Sequence, residues 1–307
     1  MEYEELKRLS PHLSQATSFQ RMTSGFSGDQ TFVVKTRHHE KFVLKLSDPH
    51  KHDRLKSKMP LLQSFKEQGI LCSEVIDMGV NREYHCFYRV FPYIEGENAR
   101  ESIQTRTDEE QYEIGRRAGR QLRKMHTYAA PPSIAPWDER ATEKHERYVH
   151  AYQTSGVRFD FDHTALQFIT SHIEVIKERP NQFQHDDFHL GNLLINGNQY
   201  AGVIDFDQSD WGDPIHDFYK LSLFSSEISI PFAVGQIDGY LSAQPEKEFW
   251  LLFSIYTAMS LFSSIVWTMT YDPAHLNDMI ERVNRIMKEH QCFHRLEPIW
   301  YTNDGRV

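Results

Sequence analysis

The chain has 307 residues, of which 39% are hydrophobic and 13% aromatic, so it can bury a core and is long enough for two lobes. This composition excludes a wholly disordered chain, and a formal net charge of −9 argues against nucleic acid or an anionic membrane as a partner. The three cysteines form no Cys-x-x-Cys pair, which favours a reducing compartment over a disulfide framework. The acidic start, residues 1–5, lacks the apolar run of a signal peptide. We therefore expect a cytoplasmic protein, and no feature points to an obligate protein partner.

Residues 1–95 are predicted to form a small β-rich lobe. Runs of β-branched and aromatic side chains alternate there with polar turns, and Gly69 is expected to stop the one helix of this lobe. The predicted elements are a hairpin of two strands, a helix and a further strand, at 31–35, 41–46, 54–68 and 84–93. The segment Ile94-Glu-Gly96 is a plausible linker.

Residues 96–307 are predicted to form a larger, mainly helical lobe. Thr107-Asp-Glu-Glu110 has the pattern of a capping box and should begin a helix. Helices are expected near 107–126, 141–153, 162–178, 235–243, 246–271 and 274–290. The stretch 249–271 carries no charge and is long enough to span a bilayer, but its many hydroxyl side chains and acidic flanks favour a buried core helix.

One β-element interrupts the helical lobe and holds the polar residues that suggest chemistry. Short apolar strands at 193–195 and 201–204 are preceded by His185-x-Asp187 with Asn192 five residues on, and are followed by Asp205. Phosphoryl transfer needs a carboxylate for the attacking hydroxyl and oxygen ligands for Mg²⁺. The protein-kinase loop supplies them with this spacing. The hairpin is expected to bring Asp205 back beside Asn192, so that both can share a metal ion.

Two other interpretations of this segment are possible. Asp and Asn are common in turns, so the polar residues could be structural, although apolar strands between them at these offsets make coincidence rare. His185 and His189 could form a zinc pair, but the zincin pattern requires Glu after the first His, on a helix. Here Asp186 follows, in a loop.

Upstream features fit a nucleotide donor when taken in chain order. Lys45 ends the apolar run of a predicted strand, where kinases place a lysine that grips donor phosphates. The preceding Gly/Ser loop, Ser24-Gly25-Phe26-Ser27-Gly28, could cover phosphates with its backbone N–H groups. Each feature alone is also compatible with an ordinary exposed lysine or glycine turn.

With these residues the chain resembles the aminoglycoside phosphotransferase and choline-kinase-like family of small-molecule kinases. The stretch 185–192, His-Asp-Asp-Phe-His-Leu-Gly-Asn, is similar to that family's His-Gly-Asp-Leu-His-x-Gly-Asn motif. The stretch 203–217 is similar to its Ile-Asp-Phe and Gly-Asp-Pro signature with a trailing Asp. The resemblance extends from about Phe19 to Tyr271 and implies an α+β, two-lobed protein-kinase-like fold. The implied reaction is transfer of the γ-phosphate of ATP or GTP, with Mg²⁺, to a hydroxyl of a small molecule.

The resemblance also implies roles for individual residues. Asp187 is the expected catalytic base, Asn192 and Asp205 the expected Mg²⁺ ligands, and Asp213 and Asp217 braces for the loop. The residues expected to bind the donor nucleotide are Lys45, Ser24, Gly25, Phe26, Ser27, Phe91, Tyr93 and Ile94.

Two positions depart from the family pattern. Asp186 stands where the family usually has Gly, and an extra carboxylate there could raise the pKa of Asp187 or simply face solvent. The helix glutamate that normally pairs with the lysine aligns with Pro60, which disfavours a continuous helix. The second departure keeps an alternative function open, namely a catalytically weak kinase-fold protein that binds a nucleotide or small molecule.

The acceptor is expected to be a hydroxylated and cationic small molecule. Two carboxylates and three aromatic rings could hold an ammonium group by charge pairing and cation–π contacts. The candidate residues are Asp210, Trp211, Trp267, Tyr271 and Asp272. Trp267 and Tyr271 lie four residues apart, so both could instead be core residues on one helix face.

Overall fold

The computed structural model describes residues 2–22 and 29–301. The chain divides into two compact units. The first contains residues up to Glu95 together with Ala201–Asp207, and the second contains Gly96–Tyr200 and the residues from Gln208 onward. The short segment Ala201–Asp207, which includes Asp205, thus belongs to the first unit, although the chain on both sides of it belongs to the second.

The first unit is built on a five-stranded antiparallel sheet with the strand order β1-β2-β3-β5-β4. Its strands are β1 (Ala16–Met22), β2 (Gln30–Thr36), β3 (Lys41–Ser47), β4 (Asp77–Asn81) and β5 (Cys86–Pro92). Its α-helices are α1 (Tyr3–Lys7), α2 (His52–Lys56) and α3 (Met59–Glu67). The predicted hairpin corresponds to β2 and β3, whereas β1 and β4 are too polar to have been recognised.

Period-2 alternation along β3 separates the core of the first unit from its polar face. Phe42, Leu44 and Leu46 are buried in one hydrophobic cluster. Lys45 therefore points to the opposite face of the sheet. Arg89 of β5 lies directly opposite Lys45 in the strand register. Two cations thus stand side by side on the polar face, an arrangement that requires nearby carboxylates.

The predicted helix over 54–68 is wrong at one point, because the chain forms two helices there. A turn at Ser57 and Lys58 separates α2 from α3, and Pro60 occupies the second position of α3. Proline is tolerated in the first turn of a helix, where its missing N–H would have no intrahelical partner. Pro60 therefore helps to begin a helix.

The second unit is mostly helical, as expected, with short strands. Its helices are α4 (Ala99–Ser102), α5 (Asp108–Met125), α6 (Trp137–Ser155), α7 (Asp162–His172), α8 (Ile230–Leu241), α9 (Lys247–Tyr271) and α10 (Leu276–Glu289). Its strands are β6 (Glu97–Asn98), β7 (Gln182–Gln184), β8 (Leu193–Asn196), β9 (Gln199–Val203) and β10 (Asp210–Gly212), with the chain entering the first unit within β9.

Helix boundaries in the second unit follow local capping. The predicted capping box of α5 is confirmed, with Thr107 accepting from the backbone N–H of Glu110 and the Glu110 carboxylate accepting from that of Thr107. The helix α8 begins five residues before its predicted start, because Ser229 caps it and Pro231 occupies its first turn. A 3-10 turn, Ile173–Ile176, replaces the end of the predicted 162–178 helix.

The uncharged stretch forms most of α9, the central helix of this unit. This helix is long and apolar enough to cross a membrane, with a mean hydropathy of 1.7 in its most apolar window, yet 72% of that window is buried inside the protein. Its side chains Leu261, Phe262 and Ile265 are fully buried in a cluster with residues of α6, α7 and α10. A core position accounts for its composition, as predicted.

Candidate active site

The catalytic-loop motif lies between β7 and β8 and is closed by its own polar groups. The backbone N–H of Asn192 donates to the carbonyl of His189 at 2.8 Å, and that of Gly191 donates to Nδ1 of His189 at 3.1 Å. These bonds form the 3-10 turn Leu190–Asn192. The turn folds Asn192 back over the start of the loop.

The side chain of Asp187 receives donors on both carboxylate oxygens. Nδ2 of Asn192 donates to Oδ2 at 2.7 Å and also to the main-chain carbonyl of Asp187 at 3.0 Å. Nζ of Lys220 lies 2.8 Å from Oδ1, and Nε2 of His189 lies 3.3 Å from the same oxygen. The structure therefore brings Asp187 and Asn192 together, and it adds a contact from His189 of the same motif and one from Lys220, which lies outside the motif.

These partners set the charge of Asp187. Burial alone raises the pKa of a carboxyl group, but the Lys220 ammonium and the His189 ring outweigh it and hold the pKa of Asp187 well below its usual range. The same carboxylate raises the pKa of Lys220 above its usual value, against the effect of burial. The residues thus form a charged pair at neutral pH, and the expectation that Asp186 would raise the pKa of Asp187 is wrong.

Asp186 has its own surroundings. Its carboxylate is mostly buried and lies 3.8 Å from Nζ of Lys144 and 3.4 Å from Nδ1 of His216, so it does not simply face solvent. Its φ angle is +57°, in the left-handed region that glycine adopts freely and that Asp tolerates. The Gly of the similar family motif would adopt this conformation without strain.

Asp217 braces the loop from below, as predicted. Its two carboxylate oxygens accept from the backbone N–H groups of His185 at 2.8 Å and Asp186 at 2.7 Å. Nε2 of His126 also contacts Asp217 at 3.0 Å, and the hydroxyl of Tyr240 contacts the other ring nitrogen at 2.9 Å. Burial opposes ionisation of Asp217, but these hydrogen bonds and the His126 charge lower its pKa, so it remains an acceptor.

Asp213 braces a neighbouring segment. It caps the turn that begins at Pro214 by accepting from the N–H of Ile215 at 3.0 Å, and it also accepts from Nε of Arg179 at 2.7 Å and from the hydroxyl of Tyr256 at 2.9 Å. Asp213 is fully buried. With all these donors it holds structure and is not available to react.

In the first unit, Lys45 and Asp205 form an ion pair. Nζ of Lys45 lies 3.2 Å from Oδ2 of Asp205, while Oδ1 of Asp205 is buried and has no hydrogen-bond partner among the described residues. Asp205 also adopts a left-handed φ of +67°. The premise that Lys45 lacks a carboxylate because Pro60 replaces the family glutamate is therefore wrong: Lys45 uses Asp205.

A buried ionic network surrounds this pair, and the sequence motifs do not predict it. Arg89 donates to both oxygens of Asp207, at 2.8 Å for one of them, and lies 3.4 Å from Asp29. Asp29 also pairs with Nζ of Lys51 at 2.7 Å. Burial opposes ionisation of Asp207, but Arg89 and Lys45 lower its pKa to about 2. Nζ of Lys58 donates to the carbonyls of Phe206 and Asp207, which further fixes the chain beside Asp205.

The remaining predicted nucleotide-binding residues are only partly described. Ser24, Gly25, Phe26 and Ser27 lie outside the residues that the structure describes. The backbone N–H of Tyr93 donates to the carbonyl of Lys41 at 3.1 Å and extends the sheet, so it is engaged within the protein. Phe91 is buried in β5, and Ile94 contacts Gly202.

The predicted acceptor residues of the second unit carry partners of their own. Asp210 pairs with Arg140 at 3.0 Å, and Asp272 pairs with His275 at 2.7 Å. The rings of Trp267 and Tyr271 lie 5.4 Å apart and are 39% and 69% exposed, so the alternative that both are core residues is wrong. Trp211 contacts Phe183 through its ring and accepts from Arg140 through its carbonyl.

Lys220 and Arg89 are the two cations of these ionic contacts that the sequence motifs did not reveal. Lys220 follows Asp217, the trailing Asp of the family signature, by three positions, and this proximity was a signal in the sequence. Arg89 stands in the middle of the apolar run Cys86–Pro92, where a single charged residue indicates a buried ion pair. Neither signal names the partner, because both partners are distant in sequence.

Comparison with known proteins gives one family. The model of the phosphotransferase enzyme family designated APH matches residues 18–251, well over half of the chain. A search among curated proteins gives no match.

Solved structures show the same fold. A GDP complex of aminoglycoside 2'-phosphotransferase-IIIa superposes with a TM-score of 0.70 at 12% identity, covering 94% of this chain and 99% of that one. A GDP and kanamycin complex of APH(2")-IIIa superposes with a TM-score of 0.68 at 14% identity, covering 92% of this chain and 97% of that one. A ternary complex of APH(4)-Ia with AMP-PNP and hygromycin B superposes with a TM-score of 0.67 at 13% identity, covering 89% of this chain and 94% of that one. The chain has the kinase-like fold of these proteins, and it belongs to the APH phosphotransferase enzyme family.

Proposed function

We propose that this protein transfers the γ-phosphate of ATP or GTP to a hydroxyl group of a small molecule, with Mg²⁺. The observation that carries the proposal is the Asp187 carboxylate, held by Asn192 on one oxygen and by Lys220 on the other. In the reaction the acceptor oxygen forms a bond to the γ-phosphorus, the bond to the bridging oxygen breaks, and the nucleoside diphosphate leaves with the electron pair. Asp187 orients the hydroxyl and accepts its proton.

Two residues have atoms suited to Mg²⁺, which prefers oxygen ligands. Oδ1 of Asp205 is buried without a hydrogen-bond partner among the described residues, and a metal ion would satisfy it. Asn192 uses its amide nitrogen toward Asp187, so its amide oxygen is the atom left for a metal ion. When bound, Mg²⁺ neutralises charge on the donor phosphates. We propose that both residues are ligands, in a site of one carboxylate and one amide; the described residues hold no group of three or more His, Cys, Asp or Glu that could bind a metal ion.

We assign nucleotide binding to the first unit and acceptor binding to the second. Lys45 would contact the donor phosphates, helped by the loop over residues 24–27. The segment Phe91, Tyr93 and Ile94 would meet the base, with the carbonyl of Tyr93 more suitable than its engaged N–H. The related structures with GDP, ADP and AMP-PNP support a purine nucleotide as the donor and leave ATP and GTP as equal candidates.

The acceptor is proposed to be cationic and hydroxylated, in the manner of an aminoglycoside. The net charge of −9 favours such a ligand, and the related structures carry kanamycin, gentamicin and hygromycin B. The candidate acceptor contacts remain Asp210, Trp211, Trp267, Tyr271 and Asp272. The rings of Trp267 and Tyr271 are exposed and could contact a cationic ligand by stacking or a cation–π interaction. The carboxylates of Asp210 and Asp272 are less suitable, because each is already paired within the protein.

A nucleotide-consumption screen tests the proposal. The purified protein with Mg²⁺ and ATP or GTP is incubated with aminoglycosides, macrolides, choline, sugars and amino-acid alcohols, and release of ADP or GDP is measured against an Asp187→Ala control. Acceptor-dependent release that the control lacks is the expected result. Release with anionic acceptors alone would refute the cationic class and leave the kinase reaction standing, whereas no release with any acceptor would favour the alternative, a nucleotide- or small-molecule-binding protein.

A further inference from the structure

Lys220 belongs to no motif of the proposed site, yet it makes the shortest charged contact to Asp187. Its Nζ lies 2.8 Å from Oδ1 of Asp187, and its side chain is 13% exposed. The ammonium lies over the rings of Tyr219 and Phe224, at 5.1 and 5.4 Å from their centroids. A lysine held against two rings and one carboxylate has a fixed position, unlike an exposed lysine.

The segment that carries Lys220 also holds the catalytic loop. Lys220 directly precedes the π-helical turn Leu221–Ser225, a geometry often found at functional sites. The hydroxyl of Ser225 accepts from the backbone N–H of Leu190 at 3.3 Å, and Asp217 accepts from two N–H groups at the other end of the loop. Lys220 and Asp187 are therefore attached to one framework, which sets the distance between them.

The donors around Asp187 leave a defined place for a substrate. A carboxylate offers about four lone-pair positions. Because Nδ1 of His189 accepts from the N–H of Gly191, Nε2 is the ring nitrogen that carries a proton toward Asp187, and His189 and Lys220 both donate to Oδ1. Among the described residues, Oδ2 receives only Asn192. The remaining lone pair is on Oδ2, so the acceptor hydroxyl must donate there.

We propose that Lys220 is a positioning residue for phosphoryl transfer. It holds Oδ1 of Asp187, so that Oδ2 alone faces the acceptor hydroxyl, and it supplies the positive charge that keeps a buried carboxylate stable in that orientation. The proposal rests on the proposed kinase function, since it acts through the catalytic role of Asp187. Lys220 would thus take part in the reaction although it lies outside the loop 185–192.

The test compares three single variants with the wild type in steady-state kinetics. Lys220→Met should lower kcat about 100-fold or more, the scale of a misplaced general base, while KM for the nucleotide changes less than about threefold. Lys220→Arg keeps the charge and should recover part of kcat. Lys144→Met is the matched control, because Lys144 faces the adjacent Asp186 at 3.8 Å and not Asp187. Its kcat should stay within about threefold of the wild type.

A double-mutant cycle with Asp187→Asn separates positioning from general destabilisation. If Lys220 acts through Asp187, Lys220→Met should reduce the residual transfer of Asp187→Asn by less than about threefold. The double variant contains no uncompensated buried charge and should fold even if Lys220→Met alone does not, which circular dichroism checks. Independent, multiplicative losses, or wild-type kcat in folded Lys220→Met, would overturn the inference. Absence of transfer by the wild type would instead refute the proposed function, and the inference with it.

Discussion

Replacing Arg89 by Met removes the cation at the centre of the ionic network in the first unit. Arg89 is 3% exposed and donates to both oxygens of Asp207 and to the hydroxyl of Ser47 at 3.1 Å. It also lies 3.4 Å from Asp29. Methionine approximates the length of the aliphatic stem and adds no charge, so the change isolates the loss of the guanidinium group.

The expected loss of stability depends on the buried carboxylates that remain after the guanidinium group is removed. Removing one partner of a buried ion pair typically costs about 3–5 kcal/mol, because the other charge stays buried without compensation. Asp207 keeps Lys45 as a more distant cation, and Asp29 keeps Lys51. The loss of repulsion between Arg89 and Lys45, which are cross-strand neighbours, offsets less than about 1 kcal/mol. We therefore expect Arg89→Met to lower the free energy of unfolding by about 3 kcal/mol.

Urea denaturation followed by far-UV circular dichroism measures this change. All tryptophans of the chain lie in the second unit, so tryptophan fluorescence does not report directly on the affected sheet. Arg37→Met is the matched control, because Arg37 is an exposed arginine in the turn after β2, and it should change stability by less than about 0.5 kcal/mol. A loss below about 1 kcal/mol in Arg89→Met would refute the reasoning, since it would mean that Asp207 does not depend on the guanidinium.

Three further predictions address packing, pH and the metal site. Gly119→Ala should destabilise the protein by at least about 1 kcal/mol, although Ala has the better helix propensity, because the new Cβ would lie 2.1 Å from the carbonyl oxygen of Gln236. Thermal unfolding measures the change, and Lys124→Ala, at an exposed position of the same helix, is the control. Burial lowers the pKa of His290 to about 4, so below about pH 6.5 the unfolded chain binds a proton at this residue that the folded chain does not bind. Between pH 7 and pH 5 the free energy of unfolding should therefore fall by about 2 kcal/mol more in the wild type than in His290→Phe. Equal losses in the two proteins would contradict this prediction. Asp205→Ala should weaken binding of Mg·ATP or Mg·GTP in calorimetry, because it removes the buried oxygen proposed as a metal ligand, and unchanged affinity would exclude that role.

Local patterns predicted the presence of α5 to α10 in the second unit and of β2, β3 and β5 in the first. The capping box at Thr107 set the start of α5, and the spacing from His185 to Asn192 placed Asp187 and Asn192 in one tight loop, within which the structure also joins their side chains. These features depend on residues a few positions apart, and hydrogen bonding over such short stretches follows directly from the sequence.

The features that escaped prediction depend on pairs far apart in the chain. Lys220 reaches Asp187 across 33 positions, and Arg89 reaches Asp207 across 118. The close crossing of α5 and α8 likewise depends on glycines of both helices, such as Gly119 and Gly235, whose added Cβ atoms would meet the backbone of the other helix. A single sequence shows each residue but not its partner, so the departure at Pro60 suggested a weak site where the fold supplies Asp205 to Lys45.

The most direct test of the central claim is a single-turnover transfer experiment with nucleotide labelled at the γ-phosphate and the best acceptor from the screen. The wild type should move the label to the acceptor hydroxyl. Asp187→Ala should do so at least about 100-fold more slowly, with nucleotide affinity nearly unchanged, because Asp187 acts on the acceptor and not on the donor. Transfer at the wild-type rate by folded Asp187→Ala would contradict the account.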